Sequence, residues 1–169
     1  NGTYKVPKLE FNSQTGEGDP FYEYTYSCIG AEVEVDTCTG KTKVIKIAAA
    51  HDIGRAMNPK HARGQITGGA IMSMGYGIME DLGERNGVTS HDNFDQYAIP
   101  TFADVGEIDA IIIENPDERG PFGARSLGEP ALDPGAAAYV NAINHALGEE
   151  AKKIRSLPAD LESVLFAAK

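Results

Sequence analysis

The stretch Ala31-Glu32-Val33-Glu34-Val35-Asp36-Thr37-Cys38-Thr39-Gly40-Lys41-Thr42-Lys43-Val44-Ile45-Lys46-Ile47-Ala48 decides the fold. Its first five residues alternate apolar and charged side chains, as a half-buried strand does. Thr37 to Lys41 supplies turn formers, and Lys43 to Ala48 returns as a second β-rich run. Tyr22 to Ala49 therefore reads as an antiparallel hairpin.

Outward from the hairpin, Asn58-Pro59 marks a helix start, and no further proline interrupts residues 61–82. At 100° per residue Gly64, Gly68, Ile71, Gly75 and Ile78 share one stripe. A glycine inside a helix costs about 1 kcal/mol relative to alanine, so the stripe predicts a very close neighbour that compensates. Arg85-Asn86-Gly87 is a turn, residues 94–102 are extended with a break at Pro100, and Ile108 to Glu114 reads as a strand. Ala131 to Leu147 reads as a second helix stopped by Gly148, and Pro158 to Ala168 as a short third one. The order of strands, helix, strand, loop and helix gives an α+β class, a hairpin and further strands packed with two main helices, with mixed α/β as the other arrangement it allows. Residues 21–169 are expected to form the globular part and residues 1–20 an irregular lead-in. Asn1 in place of Met suggests a fragment or a processed subunit.

Composition narrows the function. With 41% apolar residues in 169, the chain can bury a core. A formal charge of −10, with no basic run longer than Lys152-Lys153, argues against a nucleic-acid surface. No apolar stretch reaches the roughly 18 residues of a membrane span, and a cytoplasmic location is expected. Cys28 and Cys38 fit neither a zinc nor an iron–sulfur pattern and read as two buried small residues. His51-Asp52 and His91-Asp92 resemble the ligand pairs of metal-dependent phosphohydrolases. Those enzymes carry the pair on a helix with further histidines at helical spacing, whereas His51 ends a strand and His91 sits among turn formers, so a metal site is discounted. His61 and His145 fall on helices, where a solvated or satisfied histidine is the default.

The densest signal is Arg119-Gly120-Pro121-Phe122-Gly123-Ala124-Arg125-Ser126-Leu127-Gly128-Glu129-Pro130. Three glycines and two prolines in twelve residues fix backbone geometry and let a ligand approach the main chain. Glu129, ahead of Pro130 at a helix start, reads on its own first as a capping carboxylate.

Taken in order, Asp52-Ile53-Gly54-Arg55-Ala56-Met57-Asn58-Pro59, Gly64-Gln65-Ile66-Thr67-Gly68-Gly69-Ala70, Met74-Gly75-Tyr76-Gly77, Glu80-Asp81-Leu82, Tyr97-Ala98-Ile99-Pro100-Thr101 and the loop ending at Glu129-Pro130 resemble the second half of the molybdopterin-binding domain in the molybdenum hydroxylases, the family of xanthine dehydrogenase and aldehyde oxidase. The resemblance spans roughly residues 33–146. It implies Glu129 as the general base, Gln65 as a pterin contact, and Arg125, Ser126, Leu127 and Gly128 as residues lining the cofactor. The cofactor implied is molybdenum-molybdopterin, with the cytosine dinucleotide form open, and the iron–sulfur clusters and FAD are expected on other chains or domains. The implied partners are the remaining molybdopterin-binding region, iron–sulfur and flavin subunits, and a small-molecule substrate. The implied reaction hydroxylates an electron-poor carbon of a heterocycle or aldehyde using water. The chain is then expected to be the C-terminal segment of a large or medium subunit, inactive by itself. A non-catalytic molybdopterin-binding or chaperone-like module stays open as the alternative. Ala131 and Arg125 depart from residues common in the family, so a substrate class is not carried over.

Overall fold

The computed structural model describes residues 2, 3, 5 and 8–169. The lead-in, of which Asn1, Tyr4, Val6 and Pro7 lie outside the described residues, holds a two-residue antiparallel hairpin, β1 (Phe11–Asn12) with β2 (Glu17–Gly18). The long hairpin forms as its alternation dictates. β3 (Tyr26–Val35) runs antiparallel to β4 (Thr42–Asp52), from Tyr26 opposite Asp52 to Val35 opposite Thr42. A register shift leaves Ile45 without an opposite residue, and this bulge lets Val44 and Ile47, three positions apart, both enter the core.

β5 (Glu107–Ile113) joins the other side of β4, and the sheet order is β3-β4-β5. It runs parallel to β4, from Lys46 opposite Glu107 to Asp52 opposite Ile113. Parallel neighbours need a long crossover, supplied here by α1 (Pro59–Ile78) and the segment after it. Asn58 caps α1, its Oδ1 accepting from the His61 N–H at 3.1 Å, and Pro59 takes the first turn, where no N–H is missed. α1 packs on the sheet and on α2 (Gly135–Leu147) around Ile47, Ile66, Met74 and Tyr139, all fully buried. A second cluster of Val140, Ile143, Ile154 and Val164 joins α2 to α3 (Leu161–Ala167).

The α+β class holds, with local corrections, the first being that residues 94–97 and 102–104 form turns where the sequence predicts an extended segment. Ile66, Gly69, Ala70, Ser73, Met74 and Gly77 form the buried side of α1, which at 100° per residue lies opposite the expected stripe, of whose residues Gly75 is the one that is buried. Among the described residues a Cβ at Gly64 or Gly68 would meet nothing within 4 Å, whereas at Gly75 it would collide with the Glu80 carboxylate. The expected close neighbour thus exists at that one glycine of the stripe; on the core side the close approaches are at Gly69 and Gly77. The second helix starts at Gly135 rather than Ala131, because Asp133-Pro134 interrupts it: Pro134 has no N–H to continue a turn begun at Pro130. Cys28 and Cys38 are exposed free thiols, not buried small residues. On β3 it is Ile29 that faces inward, which turns Cys28 outward, and Cys38 sits in the turn. Among the described residues no helix is long and apolar enough to cross a membrane.

Candidate cofactor-binding and active site

Because β4 and β5 are parallel, their carboxyl ends meet at one rim of the sheet, the place where open α/β sheets bind ligands. The chain leaves β4 through Ile53, Gly54 and Arg55, and the glycine loop crosses back over these residues. The Arg55 N–H donates to the Gly123 carbonyl at 2.7 Å and the Arg125 N–H to the Ile53 carbonyl at 2.8 Å. Gly54 has φ of +64°, and a Cβ there would lie 2.2 Å from the Gly123 oxygen, so only glycine permits this crossing. Phe122 also takes a left-handed φ, 56°, while 80% exposed. Such strain in a bulky residue is held by its surroundings and is commonest at sites.

Arg125 is turned inward. Its guanidinium, 9% exposed, lies between Asp52 (Nε to Oδ1 3.6 Å) and Asp117 (Nη2 to Oδ2 3.2 Å). Nη1 donates to the Tyr24 carbonyl, and the guanidinium sits 5.7 Å from the Tyr26 ring centroid. Asp52 also accepts from the Gly54 N–H at 3.0 Å and from Asn115 at 3.3 Å. The Arg119 backbone N–H, helped by the Arg119 and Arg125 charges, holds the Asp117 carboxyl below its ordinary range. The next residue is tied as well, since Thr25 Oγ1 donates to the Ser126 carbonyl at 3.0 Å.

Glu129 follows on a 3-10 turn, Glu129–Ala131, whose backbone is held at three consecutive carbonyls. Gln65 Nε2 donates to Gly128 at 3.1 Å, the Leu132 N–H to Glu129 at 2.9 Å, and His51 Nε2 lies 3.1 Å from the Pro130 oxygen. A carbonyl only accepts, so Nε2 of His51 carries the proton. The turn rests on α1 at Gly69, and the Tyr76 hydroxyl donates to the Leu132 carbonyl at 3.0 Å. The Glu129 side chain itself is exposed.

The residues expected at the site are thus brought together, with different tasks. Gln65, Ser126, Gly128 and Glu129 are exposed on one rim, whereas the Arg125 side chain is engaged by carboxylates and Leu127 packs on the main core. His51, Asp52 and Asp117 complete the arrangement and were not anticipated. The available signal was a polar pair, His51-Asp52, closing an otherwise apolar strand. His91, the other member of a His-Asp pair, turns Nδ1 to the Asp81 carbonyl at 2.7 Å beside a cavity of about 400 Å³ that shares no residue with the loop. Among the described residues no three of His, Cys, Asp and Glu gather as a metal site would require.

A family model described as molybdopterin cofactor-binding domain matches residues 1–106 of this sequence. The chain belongs to that family. The molybdopterin-binding chain is 37% identical over 147 residues to a probable xanthine dehydrogenase subunit of Bacillus subtilis, covering 85% of itself and 19% of that protein. Its fold superposes on aldehyde oxidoreductase from Desulfovibrio gigas with a TM-score of 0.83 at 35% identity, covering 91% of this chain and 16% of the other. For quinoline 2-oxidoreductase from Pseudomonas putida the TM-score is 0.76 at 32% identity, with 80% and 17% covered. The molybdopterin-binding chain therefore spans less than a fifth of the length of these relatives. Glu129 lies beyond the segment matched by the family model.

Proposed function

We propose that this chain contributes the base-bearing half of the active site in a molybdenum hydroxylase, which oxidises an electron-poor carbon of a heterocycle or aldehyde with water as the oxygen source. The observation that carries this reading is an exposed carboxylate, Glu129, on a turn whose three consecutive carbonyls are each held by a hydrogen bond. A general base works only at hydrogen-bond distance from the proton it removes, and a fixed backbone with a free side chain meets that requirement.

The rim suits the cofactor. Gly64 and Gly68 flank Gln65 on α1, and where a Cβ would stand at either of them or at Gly128 no more distant part of the described chain comes within 4 Å. Helix glycines with no internal neighbour leave backbone bare for a group from outside. Gln65, Ser126 and Gly128 would hold a pterin there, by carboxamide, hydroxyl and main chain, while Arg125 and Leu127 set the loop. When bound, the molybdenum centre would supply the two-electron redox chemistry. Glu129 Oε takes the proton of the water-derived nucleophile, and His51, Gln65 and Gly69 keep its backbone in place. The remaining molybdopterin-binding region, iron–sulfur and flavin partners would complete the assembly.

Glu129→Gln in the complete enzyme tests the reading. Turnover is expected to fall by about 10²–10⁴-fold, the contribution of a positioned base, with molybdenum and pterin content unchanged. Retained turnover would instead favour a cofactor-binding module in which Glu129 is a cap.

A further inference from the structure

We propose that His51 is the positioning residue for Glu129, and that with Asp52 it makes the end of β4 the element that sets the loop at both its ends; this rests on Glu129 being the base.

The argument begins with alternation. Successive strand residues point to opposite faces, so Ile47, Ala49 and His51 enter the core, all fully buried, while Asp52 points to the other side. Asp52 meets Arg125, where the loop begins to turn, and His51 meets Pro130, just past the base. One peptide unit thus reaches both ends of residues 125–130. A core position beside Ile47 and Ala49 would accept an apolar side chain of similar volume without the cost of burying an imidazole. Among the described residues Nδ1 has no hydrogen-bond partner of normal geometry, so the ring's one bond of that kind is the Nε2 bond to the Pro130 carbonyl. What a histidine adds at this place is that bond. It complements Gln65 on the other side of Glu129: the two side chains grip the carbonyls of Gly128 and Pro130 from α1 and from β4. Losing one grip frees the turn to rotate about the other, and a displacement of about 1 Å at a reacting group can cost up to about a hundredfold in rate.

The test uses the assembled enzyme with His51→Ala, His51→Gln and His51→Asn, and Glu129→Gln as reference. For each, kcat, KM, molybdenum content and hydrogen–deuterium exchange of the peptide covering 125–133 are measured. His51→Ala is expected to lower kcat about tenfold or more with KM within about twofold, and to speed exchange in 128–132. His51→Gln, whose amide N–H can reach where Nε2 does, is expected to restore both; His51→Asn, too short, is not. Unchanged exchange and kcat in His51→Ala, or a Gln variant no closer to wild type than Ala, overturns the proposal. Should His51→Ala fail to assemble, Gln against Asn decides by the same readouts, and equal behaviour overturns it. Wild-type turnover by Glu129→Gln defeats the base reading alone, while exchange separately decides whether His51 holds the turn.

Discussion

Gly69 on α1 lies so close to Ala131 that a methyl group at position 69 would sit 2.6 Å from the Ala131 Cβ and 2.7 Å from its carbonyl oxygen. The turn that carries Glu129 therefore rests directly on the helix backbone. Gly69→Ala forces that turn away and is expected to destabilise by about 1–3 kcal/mol, the usual cost of overpacking. Gly68→Ala, one residue earlier and facing open space, is expected to stabilise by about 0.5–1 kcal/mol through helix propensity. Urea midpoints of the two variants give opposite signs if the packing is as described.

Arg125 is expected to resist even the conservative change. Lysine carries a point charge and cannot span Asp52 and Asp117 while also donating to the Tyr24 carbonyl. Arg125→Met leaves the Asp52 carboxylate buried without its cation, a loss of about 3 kcal/mol or more. Thermal melts should rank wild type above Lys above Met. Equal midpoints would show the charges to be solvated rather than buried.

Stability should depend on pH in two separate windows. Burial pushes the His51 imidazole below its ordinary 6.5, only partly opposed by the Pro130 and Ala49 carbonyls. The unfolded chain then binds a proton that the folded chain refuses, so stability falls as pH drops below about 6.5 and levels off once the folded pKa is passed. Asp117, held below its ordinary 3.8, contributes stability that is present above that value and lost as pH falls through its folded pKa. Denaturant unfolding of His51→Gln should lose the slope between about pH 7 and 5 and keep the acid one.

Tyr139 offers a milder test of the core. Its hydroxyl donates to the Ala70 carbonyl at 2.8 Å, and burial raises its pKa to about 12. The same carbonyl also accepts from Ser73 Oγ at 2.8 Å. Tyr139→Phe thus removes one bond without orphaning the acceptor and should cost about 0.5–1.5 kcal/mol. A larger loss would mean that Ser73 cannot satisfy Ala70 by itself.

The 169-residue chain expressed alone is expected to show no turnover with heterocycle or aldehyde substrates, since it spans under a fifth of the three oxidoreductase relatives described above. Turnover assays with purified chain decide this directly. Molybdenum and pterin analysis of the native assembly would then show whether the cofactor accompanies it.

Legibility followed range. The hairpin, the start of α1 at Asn58-Pro59, β5 and the stop at Gly148 are local signals, and each appears where its residues place it. The parallel pairing of β4 with β5 was not legible, because it joins residues about sixty positions apart and no turn chemistry announces it. Gly64 and Gly68 misled for a related reason: their spacing was real, but the side of a helix that faces the core is set by Ile66, Ala70 and Met74 against a sheet the helix pattern does not contain. At the candidate site, the glycine loop was readable from Gly and Pro spacing, whereas Glu129 by itself read as a cap and its proposed role came from the family resemblance. The inward turn of Arg125 and the tasks of His51, Asp52 and Asp117 were not readable, since they arise only where the strand ends converge.

The same convergence makes the motif non-transferable. Residues 119–131 contain the whole glycine loop and Glu129, yet the contacts that shape it come from Tyr24 and Thr25, from His51 and Asp52, from Gln65 and Gly69, and from Asp117. Nearly all of these are distant in the chain, so the geometry cannot form until the hairpin, α1 and β5 have docked, and it belongs to the late, non-local part of folding. A peptide of this loop, or its graft onto another scaffold, would keep every letter of the motif and lose its shape.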